Sequence, residues 1–527
     1  MTVAMVRGCE NGRKGVKGAT RKKRLEPQMD ADERGLRKFD GFLCALCAFA
    51  AVLLSGCVDQ QKEIAQYRQI LNEDAPSATP ALERGEELTL VRALFLANQD
   101  NERLAIRGED YVQALNDKAR AFANFLPTIS LQPGYTIVDN AAAASAASAA
   151  GRPVGTSGGF KQVGKTLRRF EAPVVGTQNL FRGFRDLASL QASDWTIEQR
   201  RQLLLDAQAT LLLDVAQAYY QVLKSEANVD VLRKSLEAQQ ERVRDARGRL
   251  DAGTGKPLDL AQAEAQAAST RVTLVQAQGD AANGRTVLAF LIGQPEVSGP
   301  LRDEYEVPAE WGVIGALLDQ AWNSREDYHA AQAVVEAAKY DVEAAIGQYY
   351  PSVTLNVAGY LYREAFSDAS KWNALLAVNL PIFSAGVIEA DVRSAWSRLR
   401  QAAMEQSLVR RQVEEEVRER YQDLQTSTEK LRELGAQIRA AAEAYRQAKA
   451  GFDAGTAIFL DVLTAQDTLL NSQLELTTET FSQKVAFLNL LRATGRLKLS
   501  LARTAATRAT TGPTTLPAAT TRKVDGE

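Results

Sequence analysis

Apolar residues recur along this chain with two different periods, and each period keeps to its own territory. Val229, Leu232, Leu236, Gln239, Val243, Ala246 and Leu250 are spaced alternately three and four apart. Only side chains at those separations share one helix face, so the run is a coiled-coil seam. A shift of 202 residues carries it onto Leu431, Leu434, Ile438, Ala441, Tyr445, Ala448 and Phe452. The same shift places Asp251-Ala252-Gly253-Thr254 on Asp453-Ala454-Gly455-Thr456, Leu258-Asp259 on Leu460-Asp461, Phe181 on Phe383, Tyr219 on Tyr421 and Gly293 on Gly495. Internal similarity at a fixed offset means that one supersecondary unit is built twice. No proline interrupts the stretch from Phe184 to Asp251, roughly 68 residues, which predicts a helix on the order of 100 Å long. Return helices are expected over 258–291 and 460–491. Between them Gly can take φ > 0, and Thr and Asp can cap the next helix. The segments 251–259 and 453–461 therefore read as the tips of two helical hairpins.

Period two replaces period 3.6 upstream of each long helix. Helical patterns over 88–125 and 313–349 end at Pro127 and Pro351. After the first proline Ile129, Leu131, Tyr135 and Ile137 oppose Thr128, Ser130, Gln132 and Thr136. After the second, Val353, Leu355, Val357 and Leu361 oppose Ser352, Thr354, Asn356 and Tyr360. Such alternation predicts strands with one apolar and one polar face. Return strands are expected at Arg169–Leu180 and Lys371–Leu380, within strand regions of about 127–180 and 351–383. Here the repeat offset is 224, so the first copy carries 22 additional residues, which we place in the Ala/Ser/Gly stretch 141–159 as a flexible loop. Strands of about ten residues, apolar outside and polar inside, describe a membrane barrel, and a soluble half-buried sheet gives the same pattern; the barrel reading carries a further requirement. Four strands cannot close one, and an open edge is not tolerated in lipid. Three chains would supply about twelve strands.

Composition narrows the function. Charged residues are 24% and aromatics 7%, a balance suited to long packed helices. Residues 1–40 hold 11 Lys/Arg against 6 Asp/Glu, leaving 52 basic and 59 acidic residues, so no nucleic-acid partner is indicated. An apolar run from Phe42 to Leu54 is too short to span a bilayer and suits a signal-peptide core. Leu54-Ser55-Gly56-Cys57 resembles a bacterial lipobox, which makes Cys57 the diacylated mature N-terminus; Met29 is an alternative start. Val58 after the Cys favours outer-membrane sorting. The expected organisation is a leader and signal at 1–56, an extended lipid-anchored linker at 57–87, repeats at 88–300 and 301–500, and a disordered tail at 501–527. Cys9, Cys44 and Cys47 precede the cleavage, which excludes disulfides and Cys-based metal sites from the mature chain. With His329 the sole histidine, no His triad or multi-His zinc site is available, and neither an enzyme nor a cofactor is expected. Gly159–Thr166 fits the G-x4-G-K-[ST] expression, but no buried strand precedes it, so nucleotide binding is not expected.

The lipobox, the two copies of helix–strand–strand–long helix–Gly turn–helix, and Leu460-Asp461-Val462-Leu463-Thr464-Ala465-Gln466 together resemble the TolC-type outer-membrane efflux family. Asn379-Leu380-Pro381-Ile382-Phe383 with Gly386 resembles that family's strand-to-helix junction; the first copy keeps Asn179-Leu180-Phe181 without the proline. The resemblance covers about 88–496. It implies a mostly α fold with a small membrane β part, in which a homotrimer forms a twelve-stranded barrel continued by a coiled-coil tunnel. The implied function is a passive exit duct for efflux or type I secretion, in the outer membrane and reaching into the periplasm. Implied partners are an inner-membrane transporter of RND or ABC type and a periplasmic adaptor that docks at Ala252, Gly253, Thr254, Ala454, Gly455 and Thr456. Asp461, with Asp259 as its repeat-related partner, matches a gate ring of carboxylates; the alternative for Asp461 is a carboxylate placed at a helix N-terminus, on the dipole. Phe452 stands where the family's gate has Tyr, Ala457 where it has Arg, and Thr464 at a second Asp position. These departures argue against a Tyr–Arg latch and leave closure to helix packing plus Asp461. The alternative is a lipid-anchored periplasmic coiled-coil spacer or adaptor, which accounts for Cys57 and the seams but not for the strands. The cargo is not legible.

Overall fold

Ala, Leu, Gln and Arg fill the long proline-free runs, and each run becomes a single helix. The computed structural model describes residues 60–71, 82–138, 167–303, 305–363 and 371–498. Cys57, the leader, the 141–159 stretch, the Gly159–Thr166 motif and the 501–527 tail lie outside these residues. The chain divides into two units between Lys62 and Glu63, and the contacts given below belong to the second. In chain order the elements are α1 (Gln60–Leu71), β1 (Leu88–Thr89), α2 (Leu90–Asp100), α3 (Glu102–Ala123), β2 (Thr128–Leu131), β3 (Gly134–Val138), β4 (Leu167–Arg182), α4 (Arg185–Asp251) and α5 (Pro257–Leu291). The second repeat follows with β5 (Leu301–Arg302), α6 (Ile314–Ser324), α7 (Glu326–Ile346), β6 (Ser352–Arg363), β7 (Trp372–Asn379), α8 (Val387–Asp453) and α9 (Phe459–Ala493).

The repeat holds to the residue. α4 and α8 each have 67 residues, α5 and α9 each have 35, and both pairs are offset by 202. Backbone specials follow the same offset: Gly183 and Phe184 have φ of 64° and 62°, and Ala385 and Gly386 have 50° and 82°. Both repeats thus turn from strand to long helix through two left-handed residues, with the glycine on opposite members of the pair.

Four expectations need correction. The helical pattern 88–125 is two helices, broken at Asn101 (φ −82°, ψ 122°), and 313–349 is broken likewise at Arg325 (φ −78°, ψ 124°). Each break residue ties down a hairpin: Asn101 Nδ2 donates to Leu291 O at 3.1 Å and Arg325 Nη1 to Ala493 O at 3.3 Å. A carbonyl at a helix end has no partner within the helix, so an extended residue carrying a long donor is the local solution. The first strand is also interrupted, at Gln132-Pro133, into β2 and β3, because proline cannot donate to the ladder. The region 57–87 is not simply extended, since it contains α1. Tyr67 and Leu71 of α1 are buried, Tyr67 lying against Gly108 of α3, while Gln208 Nε2 donates to Leu71 O at 2.9 Å. The fourth correction concerns the tips and is taken up below.

One antiparallel sheet joins the repeats. β2 and β3 both pair with β4, β4 pairs with β6, and β6 with β7. The register aligns Ile129, Gly176, Val357 and Ala374 in one row and Thr128, Thr177, Asn356 and Leu375 in the next. Successive rows point to opposite faces. One face is therefore apolar, while the other carries the Thr177 Oγ1 to Asn356 Oδ1 hydrogen bond of 3.0 Å. Away from the sheet, β1 and β5 form a short parallel pair held by Tyr219, whose hydroxyl lies 2.8 Å from Leu88 O and 3.0 Å from Arg302 N. Tyr219, Tyr220, Leu288, Leu488 and Val413 belong to the main core, where α2, α4, α5, α6, α8 and α9 contribute side chains.

Gly253 and Gly495 test what glycine contributes. Their φ values are 74° and 69°, but an added Cβ would meet nothing within 4 Å at Gly253 and would lie 2.8 Å from Ser324 O at Gly495. Gly253→Ala should cost about 1–2 kcal/mol, the left-handed penalty alone. Gly495→Ala should cost visibly more in a parallel denaturant titration, and equal costs would mean that the close approach is without consequence.

Candidate functional site

The two hairpin tips use one set of backbone bonds. Ala252 N donates to Gly248 O and Ala454 N to Ala450 O, each at 3.0 Å, ending α4 and α8. Gly253 and Gly455 then turn the chain at φ 74° in both copies. Thr254 N and Thr456 N donate back to Arg249 O (2.9 Å) and Gly451 O (2.8 Å), and both hydroxyls donate to those same carbonyls at 3.1 Å. The threonines therefore close the helix that is ending, not the one about to start. The left-handed glycine folds the chain over its own last turn, and Thr Oγ arrives at carbonyls that lack helical partners. Ala252, Gly253, Thr254, Ala454, Gly455 and Thr456 are all exposed.

The candidate gate residues separate. Asp461 is exposed, and its Oδ2 accepts from Ile458 N at 3.3 Å, so it caps the start of α9. Asp259 is half-buried in the first turn of α5 and lines a groove between the two hairpins with Arg242, Arg249, Lys449, Phe452 and Asp453. Phe452 packs on Phe459 with ring centroids 5.4 Å apart, and the Arg249 guanidinium lies 5.0 Å from the Phe452 ring centroid. Phe452 is thus part of the packing between hairpins. The structure brings Asp259 and Phe452 to one groove and leaves Asp461 off it.

What the sequence reading missed is a polar clasp beside that groove. Arg242 of α4 donates to Gln466 Oε1 of α9 and to the Tyr445 hydroxyl of α8, and its guanidinium lies 5.5 Å from the Tyr445 ring centroid. Gln266 Nε2 of α5 donates to Asp467 Oδ1 of α9 at 2.5 Å, and Arg249 Nη2 of α4 to Asp453 Oδ1 of α8 at 2.9 Å. Burial raises the Asp467 carboxyl above its ordinary range, with the Arg242 charge opposing. A Tyr and an Arg do meet between the hairpins, although at other positions than the resemblance suggested. One signal was available: Tyr445 occupies the seam position where the first repeat has Val243. Within the first seam Gln239 is buried with its Oε1 unpartnered.

A second charged cluster lies toward the opposite end of the hairpins. Arg325 holds Asp327 through two hydrogen bonds (2.9 and 2.7 Å) and also binds Glu416 of α8. Arg492 of α9 pairs with Asp206 of α4, and Lys498 reaches Glu326 at 3.1 Å and Leu205 O at 3.0 Å. Burial pushes the Asp206 carboxyl up, and Arg492 only partly offsets this. Burial also acts upward on Asp327, but the Arg325 hydrogen bonds and charge outweigh it and hold that carboxyl below its usual range. Burial lowers Lys498 despite Glu326. Among the described residues no group of His, Cys, Asp and Glu is arranged to hold a metal, and no helix is long and apolar enough to cross a membrane.

Residues 109–294 and 317–496 match the family described as Outer membrane efflux protein. The Outer membrane efflux protein BepC of Brucella suis biovar 1 is 30% identical over 390 residues, covering 72% of this chain and 84% of that protein. The Outer membrane protein TolC of Vibrio cholerae is 25% identical over 320 residues, covering 59% and 73%. Among solved structures, the outer membrane protein VceC from Vibrio cholerae superposes with a TM-score of 0.65 at 22% identity, over 77% of this chain and 96% of that one.

Because the folded carboxyl of Asp327 is depressed, its contribution to stability is complete above the unfolded value of 3.8 and is lost as pH falls through the folded one. Asp327→Asn should cost about 3 kcal/mol at pH 7, leaving Arg325 short of a partner. The variant should then lose less than the parent as pH falls below 3.8. Parallel acid-unfolding curves for parent and variant would contradict the assignment.

Proposed function

The chain belongs to the outer membrane efflux protein family, and from that premise we propose a trimeric exit duct whose periplasmic end is closed by the clasp between hairpins. Its function is that of an outer-membrane channel of tripartite efflux or type I secretion systems, a transport conduit and not an enzyme. It works with a periplasmic adaptor and an inner-membrane transporter, in the outer membrane and reaching into the periplasm. The observation that carries the trimer is the sheet. β7 and the β2/β3 side are edges, and one face is apolar from Ile129 and Leu131 across Val174 to Val357, Trp372 and Leu376. Hydrocarbon supplies no partner for an open ladder, so the edges pair with those of other copies. Counting β2 and β3 as one interrupted strand, each chain brings four, and three chains make a barrel of about twelve.

In this reading the 88–300 and 301–500 repeats alternate around the duct, with Cys57 as the lipidated N-terminus ahead of α1. A transporter of RND or ABC type supplies the energy. The adaptor docks on the tips, where Ala252-Gly253-Thr254 and Ala454-Gly455-Thr456 let another backbone approach closely. Arg242–Tyr445, Arg242–Gln466, Arg249–Asp453 and the Arg249–Phe452 contact hold α8 and α9 against α4, and Asp259 and Asp461 place carboxylates at the same end. Carboxylates near a constriction favour cations and release when a partner pairs with them. A spacer protein would have no use for an amphipathic sheet with open edges.

Planar-bilayer recordings test this reading. Tyr445→Phe combined with Arg249→Ala should raise the single-channel conductance severalfold. Asp461→Asn should weaken block by divalent cations with little change in conductance. Unaltered conductance in the first variant removes the clasp as the closing element, and unaltered block in the second removes the carboxylate ring.

A further inference from the structure

The end of α1 is held in a seat built on the first repeat. Leu71 O accepts from Asn98 Nδ2 at 3.2 Å and from Gln208 Nε2 at 2.9 Å, and Gln208 Nε2 also donates to Asn98 Oδ1 at 2.6 Å. A carbonyl at a helix end has no partner within the helix, so side-chain donors from α2 and α4 complete it. Tyr67 lies over Gly108 of α3, where an added Cβ would meet the ring at 2.4 Å. Leu104, Gly108 and Gln208 are all buried.

The second repeat carries the same seat, and there it stands open. The offset of 224 carries Asn98, Leu104 and Gly108 onto Trp322, Tyr328 and Gln332, and the offset of 202 carries Gln208 onto Arg410. Arg410 is exposed, and Trp322, Tyr328 and Gln332 are half-buried. The Arg410 guanidinium lies over the Trp322 ring, 4.8 Å from its centroid. Trp322 Nε1 is shielded from water and has no hydrogen-bond partner, and among the described residues Arg410 makes no ion pair. Glu414, one turn along α8, is taken by Arg418.

The exchange of residue types changes what the seat can satisfy. Asn and Gln each offer donors and an acceptor, so Asn98 and Gln208 partner one another as well as α1. An indole N–H and a guanidinium only donate. Trp322 and Arg410 therefore cannot satisfy each other, and their acceptor has to come from outside the seat. Arg410 is charged, which favours a carboxylate over a neutral carbonyl.

We propose that Trp322 and Arg410 seat the C-terminal carboxylate of a helix belonging to another protein, laid on the second repeat as α1 lies on the first. The incoming carboxylate draws the guanidinium off the indole face and gives Nε1 its acceptor. The helix brings its negative pole to the same cation. Gln332 excludes α1 of a second copy as the occupant. A Cβ at Gly108 would already clash with Tyr67, and Gln332 brings a whole side chain to the equivalent point. The partner therefore carries a small residue one turn before its end. Arg410 stands about 65 Å along α8 from Asp453, so this partner does not compete with one gripping the tips.

The test uses the full-length protein in detergent and a fluorescent peptide of residues 60–71 carrying Tyr67→Ala and ending in a free carboxylate. The chain's own α1 fills the first seat, so only the second is open to the peptide. Anisotropy should show saturable binding. Amidating the peptide's C-terminus, or Arg410→Gln in the protein, should each weaken it at least about tenfold. Trp322→Phe keeps the stacking ring and removes the N–H, and should weaken it severalfold. The peptide with its tyrosine restored should bind only after Gln332→Gly. Equal binding of acid and amide peptides, full binding to Arg410→Gln, or no binding at all overturns the proposal. If a chain ending at Lys498 binds at least about tenfold tighter than the full chain, residues 499–527 fill the seat and the outside partner is overturned. Tighter binding of a muramyl tripeptide than of the helical peptide also overturns it, in favour of cell-wall glycan.

Discussion

Backbone polar groups along a strand need partners, and the two repeats of this chain are joined by how its one sheet supplies them. Two repeats that each ended in a private hairpin of strands would present four unpaired edges. Instead β4 of the first repeat pairs along most of its length with β6 of the second, from Glu171 opposite Arg363 to Arg182 opposite Ser352. The pairing spends two edges inside the chain and leaves β7 and the β2/β3 side as the edges of one sheet. It also fixes how the helices leave the sheet. Gly183 is pressed against the second repeat so closely that a Cβ would lie 2.1 Å from Gly347 O. The strand-to-helix turn of one repeat is therefore packed on the helix-to-strand turn of the other, and α4 and α8 start from a common base.

From that base the two repeats share a backbone and differ in side chains. Asn101 and Arg325 occupy the same extended break, and each donates to the final carbonyl of its return helix. Only Arg325 carries charge, and only it has Asp327 and Glu416 around it. Likewise the first seam buries Leu232, Leu236 and Gln239, whereas in the second only Ala441 is buried. The single chain therefore packs the first seam more completely than the second, although the two helices have the same length and spacing.

The hairpins, their length and the tip glycines were legible because they depend on local periodicity and on φ, both written in short stretches of sequence. The strands were legible in their alternation. The break at Asn101 was not, because the pattern on either side stays helical and the cause, a carbonyl at Leu291, lies 190 residues away. α1 was hidden in a polar segment whose few apolar residues, Ile64, Tyr67 and Leu71, matter only because Gly108 leaves room for the tyrosine ring. The clasp was the costliest omission. Comparison with family positions directed attention to Phe452, Ala457 and Thr464, while the Arg–Tyr contact forms between Arg242 and Tyr445, which lie 203 residues apart on different helices. Two side chains on different helices leave no mark in either helix's own periodicity.

The two charged clusters differ in how hard they are to break, and the difference assigns them mechanical roles. At the tips the Arg249 and Asp453 side chains are 45% and 51% exposed, so water competes for both and the pair is worth about 0–1 kcal/mol. Arg325 and Arg492 are 6% and 10% exposed, and separating Arg492 from Asp206, or Arg325 from both Asp327 and Glu416, would leave a buried charge alone, at about 3–5 kcal/mol. A load applied to the tips therefore parts the hairpins there first. The Asp206–Arg492 and Arg325–Asp327–Glu416 contacts still hold at that load. Motion of α8 and α9 relative to α4 would then be a swing about the buried cluster, because the tips part at lower cost than the contacts farther along the helices.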